Sequence, residues 1–442
     1  MAFRKKDTIF RVTGLPASQS DEELKEALKA IIDENVAAEE QSMLTFSVAI
    51  VPSCYESEEK AALVEFYGGV PGFLPKQTAS PIDDWQAEMD DTDISFDQHF
   101  FGFTQMYAPK PNSPVTADII AITGLDKHAY GSWRGKGNLG RMWLRDFLRK
   151  DMPCCRTMIY GYNSRLSTHG VDTIMDYGRG LMEELKKVRN TDELRRRPLF
   201  FIAYDFGGII LAHCLVKAVQ ADKDDHPNMA SLYRATYGML LFGVPHKGLA
   251  VDDIQKMVAA EASHSRTTLL EQIRSKSDLL AFQLVDFKNL IRDRKVVSFF
   301  EMGQTRQLEF DSENRRWRRT GKFVTVVDAD SALLQLPDSM EDKIPLNADH
   351  STMVKFNHRN DRGYTSAQAA LKQFELDATS VVAARFLQPG LEPSLMVPYQ
   401  RDSAFTDREN AVMKIRDKIK HSVLQNHSRG ALVGLGSLDK DV

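Results

Sequence analysis

Cysteine is scarce in this chain, with four among 442 residues: Cys54, Cys154, Cys155 and Cys214. None has metal-ligand spacing, and the adjacent pair is awkward for a disulfide framework, so core or surface thiols in a reducing compartment are expected. A basic excess is also missing. The net charge is −4 and the pI about 6.3, so no overall field draws the chain to nucleic acid or anionic lipid, and neither is expected as a partner. No hydrophobic signal core follows the basic start Met1–Asp7, which leads into a strand-like segment, so secretion is not expected and an intracellular, cytoplasmic location is. The stretch Pro198–Val216 is apolar enough to pass for a membrane helix, but Asp205, His213 and the pair Gly207-Gly208 interrupt it. That pattern argues against an integral membrane segment. There is no internal repeat.

The composition is otherwise ordinary, 43% apolar and 27% charged. A chain of this length exceeds what one core organises, so several domains are expected. Residues 1–70 read as a small βαββ module of ferredoxin-like α+β type: a strand at Thr8–Val12, a helix opened by Ser20-Asp21-Glu22-Glu23 with capping-box spacing, and strands at Ser47–Val51 and Ala61–Phe66. The module resembles an RNA-recognition motif. RNA binding by that fold needs aromatic stacking platforms, and Arg11, Ala61 and Leu63 stand where those would fall, so a protein-contacting module is expected instead. Residues 71–116 carry six prolines and an acidic patch from Asp83 to Asp93, and read as a linker pinned to a neighbouring domain by Phe100, Phe101, Phe103 and Tyr107.

Residues 117–376 alternate apolar strands with helical patterns, as a mostly parallel α/β sheet flanked by helices requires. Strands are expected at Asp118–Thr123, Thr157–Tyr160, Leu199–Ala203, Gly238–Phe242, Val296–Phe300 and Phe323–Val327. Helices are expected near Met142–Leu148, Ile174–Val188, Ile209–Val219, Leu249–Glu261 and Leu279–Ile291. The charged stretch Asp311–Arg319 reads as a solvated loop. Residues 377–442 are expected to form a connector, a helix at Arg408–Leu424 and the turn-rich Ala431–Gly436.

The most informative segment is Leu199–Gly208, a buried-strand run that turns at Asp205 and leaves through two glycines into an apolar helix. This is the build of a nucleophile elbow, whose small neighbours let one side chain reach the top of a parallel sheet beside the free N–H groups of the next helix. The tip is Asp205 where a serine is expected. Residues just after strand ends come next, because ligands bind at the carboxyl ends of parallel strands. They are Glu301, His350 in the loop Ile344–Ser351, and Thr123-Gly124, whose backbone with that of Phe206 would form an oxyanion hole. Nucleophile, acid and histidine then follow in α/β-hydrolase chain order. Asp328 is an alternative acid, and His246 reads as structural. No metal or other cofactor is expected.

Leu199–Gly208, Gly243–Gly248 and Ile344–Phe356, with Ile119–Trp133 and Trp143–Gly161, resemble the α/β-hydrolase domain of the serine-active-site-containing lipase-like family, found in fungi at the front of nucleotide-binding, repeat-bearing receptors. The resemblance implies serine esterase or lipase chemistry, an acyl or alkyl ligand, and association with mitochondrion or endoplasmic reticulum. The family's elbow reads His-Ser-Leu-Gly-Gly, whereas this chain has Tyr204 and Asp205 in its first two places. Val397–Asp402, Phe405, Asp407 and Arg408 resemble the opening of an NB-ARC-type domain with its phosphate loop at Gly434. There Asp439 replaces a glycine and Asp441 the hydroxyl residue, so nucleotide binding is not expected.

A carboxylate attacking an acyl carbon would form a mixed anhydride, so ester hydrolysis at Asp205 is disfavoured. Three outcomes remain. The expected one is a catalytically impaired effector or signalling domain, its carboxylate held beside the oxyanion donors. The alternatives are a hydrolase using Asp205 as nucleophile at alkyl carbon, with His350 and Glu301 activating water as in haloalkane dehalogenases and epoxide hydrolases, and a residual esterase.

Overall fold

The computed structural model describes residues 8–55, 58–74, 84–166, 170–220, 227–251, 266–311 and 316–387. These lie in the first of two compact units of the chain, Met1–Gln388. The expected helix Arg408–Leu424, the phosphate-loop remnant and most of Leu249–Glu261 fall outside the described residues.

The N-terminal part is a five-stranded antiparallel sheet of β1 (Thr8–Pro16), β2 (Thr45–Pro52), β3 (Glu59–Tyr67), β4 (Trp85–Met89) and β5 (Thr92–Asp97), in the order β2-β3-β1-β5-β4. The helix Asp21–Asn35 begins at a complete capping box, with Glu23 N–H donating to Ser20 Oγ at 3.2 Å and Ser20 N–H to Glu23 Oε2 at 2.7 Å. Its Leu24, Leu28 and Ile32 bury against Phe10, Val12, Val64, Phe66, Ile94 and Phe96.

Strands β4 and β5 fall where a linker is expected. Acidic residues hide them: Glu88 pairs with Asp93 across a two-residue turn at Asp90-Asp91, while Met89, Ile94 and Phe96 alternate inward. The opposite face of the sheet is also covered. Ile9, Val51, Ala61 and Leu63 join the core of the central domain, and Glu65 bridges Arg134 and Arg145 beneath it. The surface an RNA reader would need open is therefore an internal interface.

The central sheet comprises β6 (Gly102–Gln105), β7 (Ala117–Ile122), β8 (Cys155–Gly161), β9 (Leu199–Tyr204), β10 (Thr236–Phe242), β11 (Lys295–Glu301) and β14 (Glu341–Leu346), in the order β14-β11-β10-β9-β7-β8-β6. All neighbours are parallel except the edge pair β6–β8. This is the α/β-hydrolase arrangement. Winding reverses between β7 and β9, the kind of switch point at whose carboxyl strand ends open parallel sheets bind their ligands. Flanking helices include Ile174–Val188, Phe206–Gln220, Asp278–Leu290 and Arg362–Leu387, whose Phe374 packs on Phe200 and Tyr237 with ring centroids 5.5 and 5.6 Å apart.

Two expectations after β11 are corrected. Residues expected as a solvated loop and a sheet strand form a separate antiparallel hairpin, β12 (Thr305–Asp311) and β13 (Arg316–Val324), and the seventh strand of the sheet is Glu341–Leu346. That segment, with Glu341, Asp342, Lys343 and Pro345, lacks an apolar run because it is an edge strand, half exposed, where a missing N–H is tolerated. Among the described residues no helix is long and apolar enough to cross a membrane, and all four cysteines are free.

Candidate active site

Strand β9 is buried at every residue and turns at Asp205, whose φ of 54° is left-handed, a conformation that Asp tolerates better than most side chains. The turn is tied down by Asp205 N–H donating to Phe242 O and Gly208 N–H to Asp205 O, both at 3.0 Å. A Cβ on Gly207 would lie 2.5 Å from Ile122 O and 2.6 Å from Thr123 O, and one on Gly208 would overlap Val244. The paired glycines let the helix run hard against the end of β7.

His350 sits in the loop after β14 with both backbone groups anchored. Its N–H donates to Thr305 Oγ1 at 3.2 Å, and its carbonyl accepts the Tyr204 hydroxyl at 2.7 Å. The ring lies between two carboxylates, Nε2 3.5 Å from Asp205 Oδ1 and Nδ1 3.5 Å from Glu301 Oε2. Among the described residues neither ring nitrogen has a hydrogen-bond partner. Gly243, at φ 52°, is wedged against this assembly, where a Cβ would stand 2.7 Å from Met353 Sδ and 3.1 Å from His350 Cε1.

Glu301 ends β11. Its Oε1 accepts from Val326 N–H at 2.8 Å and Val327 N–H at 2.9 Å, leaving Oε2 toward the imidazole. Burial raises its pKa, an effect that His350 and the two amides offset only in part. Asp328, the alternative acid, caps the turn Ala329–Ala332, accepting from Ser331 N–H at 2.7 Å. The carboxylate facing His350 is that of Glu301. His246 is buried against Phe287, and burial pushes its pKa down to about 3, in keeping with a structural reading.

Gly124 lies beside the tip, and Phe206 follows it at the start of the helix. A Cβ on Gly124 would overlap Asp205 Oδ2, so the carboxylate leans directly on this backbone. The Thr123 carbonyl accepts the Tyr162 hydroxyl at 2.9 Å, and Thr123 Oγ1 donates to Ser132 Oγ at 2.7 Å. Tyr162 escaped the sequence reading although it directly follows β8. Burial, and after it the Asp205 charge, hold its hydroxyl well above the usual phenol range. Tyr204 and Thr305, which anchor His350, carried no signal of their own. Among the described residues no cluster of three or more His, Cys, Asp or Glu side chains is placed to hold a metal ion.

No protein-family model matches the chain. It is similar to Protein SERAC1 of Danio rerio, 26% identical over 218 residues, which are 43% of this chain and 31% of that protein. It is also similar to Protein SERAC1 of Homo sapiens, 24% identical over 163 residues, 31% of this chain and 23% of that protein. The matches thus span less than a third of the length of these relatives. Among solved structures it is similar to Bacillus licheniformis lipase BlEst2, at 14% identity and TM-score 0.40 over 61% of this chain and 97% of that one. Phospholipase PlaB from Legionella pneumophila is another, at 13% identity and TM-score 0.36 over 70% of this chain and 64% of that one.

Proposed function

We propose that this lipase/esterase-like α/β-hydrolase-fold chain does not hydrolyse esters and serves as an effector or signalling domain of the receptor type its sequence resembles. The observation that carries this reading is the contact of the Asp205 carboxylate with Gly124. An oxyanion hole works by meeting negative charge that develops on the substrate in the transition state. Here a resident carboxylate already leans on that backbone. An acyl substrate meets a filled, negatively charged tip, and attack by that tip would give only an anhydride.

The test is turnover of short p-nitrophenyl esters. The wild-type chain is expected to match its His350→Ala variant, and Asp205→Ser to gain activity, an expectation supported by the 3.5 Å separations of His350 from Asp205 and from Glu301. Robust wild-type activity that disappears with His350→Ala would overturn the reading.

A second reading is favoured by the alignment of His350 between Asp205 and Glu301. In it, Asp205 Oδ1 attacks an alkyl carbon and expels a halide or opens an epoxide, leaving an alkyl ester on Asp205. His350 Nε2 then takes a proton from water as the water oxygen adds to Asp205 Cγ, and Glu301 stabilises the imidazolium. Collapse releases the alcohol and leaves one water oxygen in the Asp205 carboxylate. Single turnover of alkyl halides and epoxides in ¹⁸O-water, followed by mass analysis of the Asp205 peptide, decides between the readings: label at Asp205 supports the second.

A further inference from the structure

The segment Thr123–Trp133, which brings Gly124 to the candidate site, is held by a hydrogen-bond relay that begins in the N-terminal sheet. Arg11 of β1 is paired with Asp97 at the end of β5. The Asp97 carboxylate caps the turn that follows, accepting from His99 N–H at 2.6 Å and Phe100 N–H at 3.0 Å. Within this turn the Gln98 carbonyl lies 2.8 Å from His128 Nε2. On the other side of that ring, Nδ1 lies 3.1 Å from Tyr130 N and 3.0 Å from Gly131 N. Both are donors, so Nδ1 accepts and the ring proton sits on Nε2, donating to Gln98.

The relay continues toward the site. The His128 carbonyl accepts the Ser132 hydroxyl at 2.7 Å, and Ser132 Oγ accepts from Thr123 Oγ1 at 2.7 Å. Phe100, fully buried at a left-handed φ of 57°, presses edge-on against the His128 ring at 5.5 Å. The Arg11 guanidinium lies 5.7 Å from the centre of the Phe100 ring. The contacts therefore run in series from the N-terminal sheet to the hydroxyl of Thr123, the neighbour of Gly124.

We infer that His128 is a positioning residue of the candidate site: by bridging Gln98 and capping Tyr130 and Gly131, it fixes the Thr123–Trp133 segment against the N-terminal sheet and makes that sheet a working part of the site. The inference rests on the reading of Thr123 and Gly124 as the backbone that faces the nucleophile position. Protonation of Nδ1 would turn an acceptor into a donor facing two N–H groups. Burial lowers the His128 pKa; the Gln98 bond and Asp97 oppose the shift, and Arg165 and His99 add to it. A histidine depressed in this way contributes order above its unfolded pKa of about 6.5, and the contribution is lost as pH falls through the folded value.

Two variants of the full chain separate a local role from the bridge. His128→Asn retains an acceptor for N–H groups two and three residues on but has no ring N–H for Gln98, whereas His128→Ala has neither. Hydrogen exchange of the Tyr130 and Gly131 amides at neutral pH is expected to quicken about tenfold in His128→Ala, the worth of one lost hydrogen bond, and to be largely restored in His128→Asn. Arg11→Ala, at the far end of the relay, should quicken the same amides in the wild-type chain and leave them unchanged in His128→Asn, where the bridge is absent. Fluorophosphonate labelling of the Asp205→Ser variant should slow about tenfold when His128→Asn is added, a conversion of about 1.4 kcal/mol. Equal Arg11→Ala effects in both backgrounds, a ¹⁵N signature of His128 protonated at Nδ1, or unchanged labelling would each overturn the inference. If Asp205→Ser takes no label at all, the site reading is what fails, and the exchange cycle alone decides the relay.

Discussion

Two buried acidic centres occupy opposite ends of the same parallel sheet. At the amino end of β7, Asp118 is bonded by Arg156 through Nε and Nη2, both at 2.9 Å, by Arg189, and by Arg197 at 3.3 Å. At the carboxyl ends, Asp205 and Glu301 face His350 across 3.5 Å gaps, and Glu301 Oε2 and both imidazole nitrogens have no hydrogen-bond partner among the described residues. Burial by itself raises a carboxyl pKa in either place. The three arginines reverse this for Asp118 and hold it below the usual carboxylate range, while Glu301 stays raised. Both Asp118 oxygens are engaged by arginines that hold the fold, whereas Glu301 Oε2 keeps its capacity open, which folded proteins tolerate chiefly at functional sites.

The largest expected effect tests the closed centre. Asp118→Ala strands buried guanidinium groups and should cost about 3–5 kcal/mol of stability in urea unfolding, whereas Asp205→Ser and His350→Gln should each change it by less than about 1 kcal/mol. Comparable losses at both ends would erase the distinction. Next in size is Gly124→Ala. Its methyl overlaps the Asp205 carboxylate, so a cost of about 1–3 kcal/mol is expected, shrinking by about 1 kcal/mol or more when Asp205→Gly removes the obstacle. Strictly additive costs would mean that the carboxylate does not rest on this backbone.

The smallest effect is in pH dependence, and its sign differs between the centres. Asp118, with a depressed folded pKa, contributes stability above its unfolded value that is lost as pH falls through the folded one. Glu301, with a raised folded pKa, contributes below its unfolded value, and the contribution is lost as pH rises through the folded one. Glu301→Gln, whose amide oxygen can still accept from Val326 and Val327, should therefore raise neutral-pH stability by up to about 1 kcal/mol and leave acid stability nearly unchanged. A fall in melting temperature at neutral pH would show that the ionised Glu301 is held as firmly as Asp118.

Much of the central sheet was legible because strands buried on both faces read as continuous apolar runs, as β7, β9 and β10 do. Asp205 was marked by the strand, turn and paired glycines around it, and chain order with strand-end placement led to Glu301 and His350. Strands β4, β5 and β14 were not legible, since each has one exposed face or edge whose acidic residues or proline mimic a loop. The anchors Tyr204 and Thr305 were hidden for another reason: a hydroxyl that bonds a backbone group 146 or 45 residues away leaves no local pattern.

By itself, then, the sequence determined that the apolar runs of β7, β9 and β10 must be buried and that a carboxylate stands at the tip of the elbow, because periodicity and small-residue turns are local properties of the chain. It left Glu301 and Asp328 open as partners of His350, and the covered face of the N-terminal sheet unassigned. Tertiary structure decided both. Asp328 turns one oxygen to the Ser331 N–H of its own turn, while the amides of Val326 and Val327 aim Glu301 at the imidazole. The face carrying Arg11, Ala61 and Leu63 closes on the central domain through buried apolar contacts and charges that find partners only when distant segments meet.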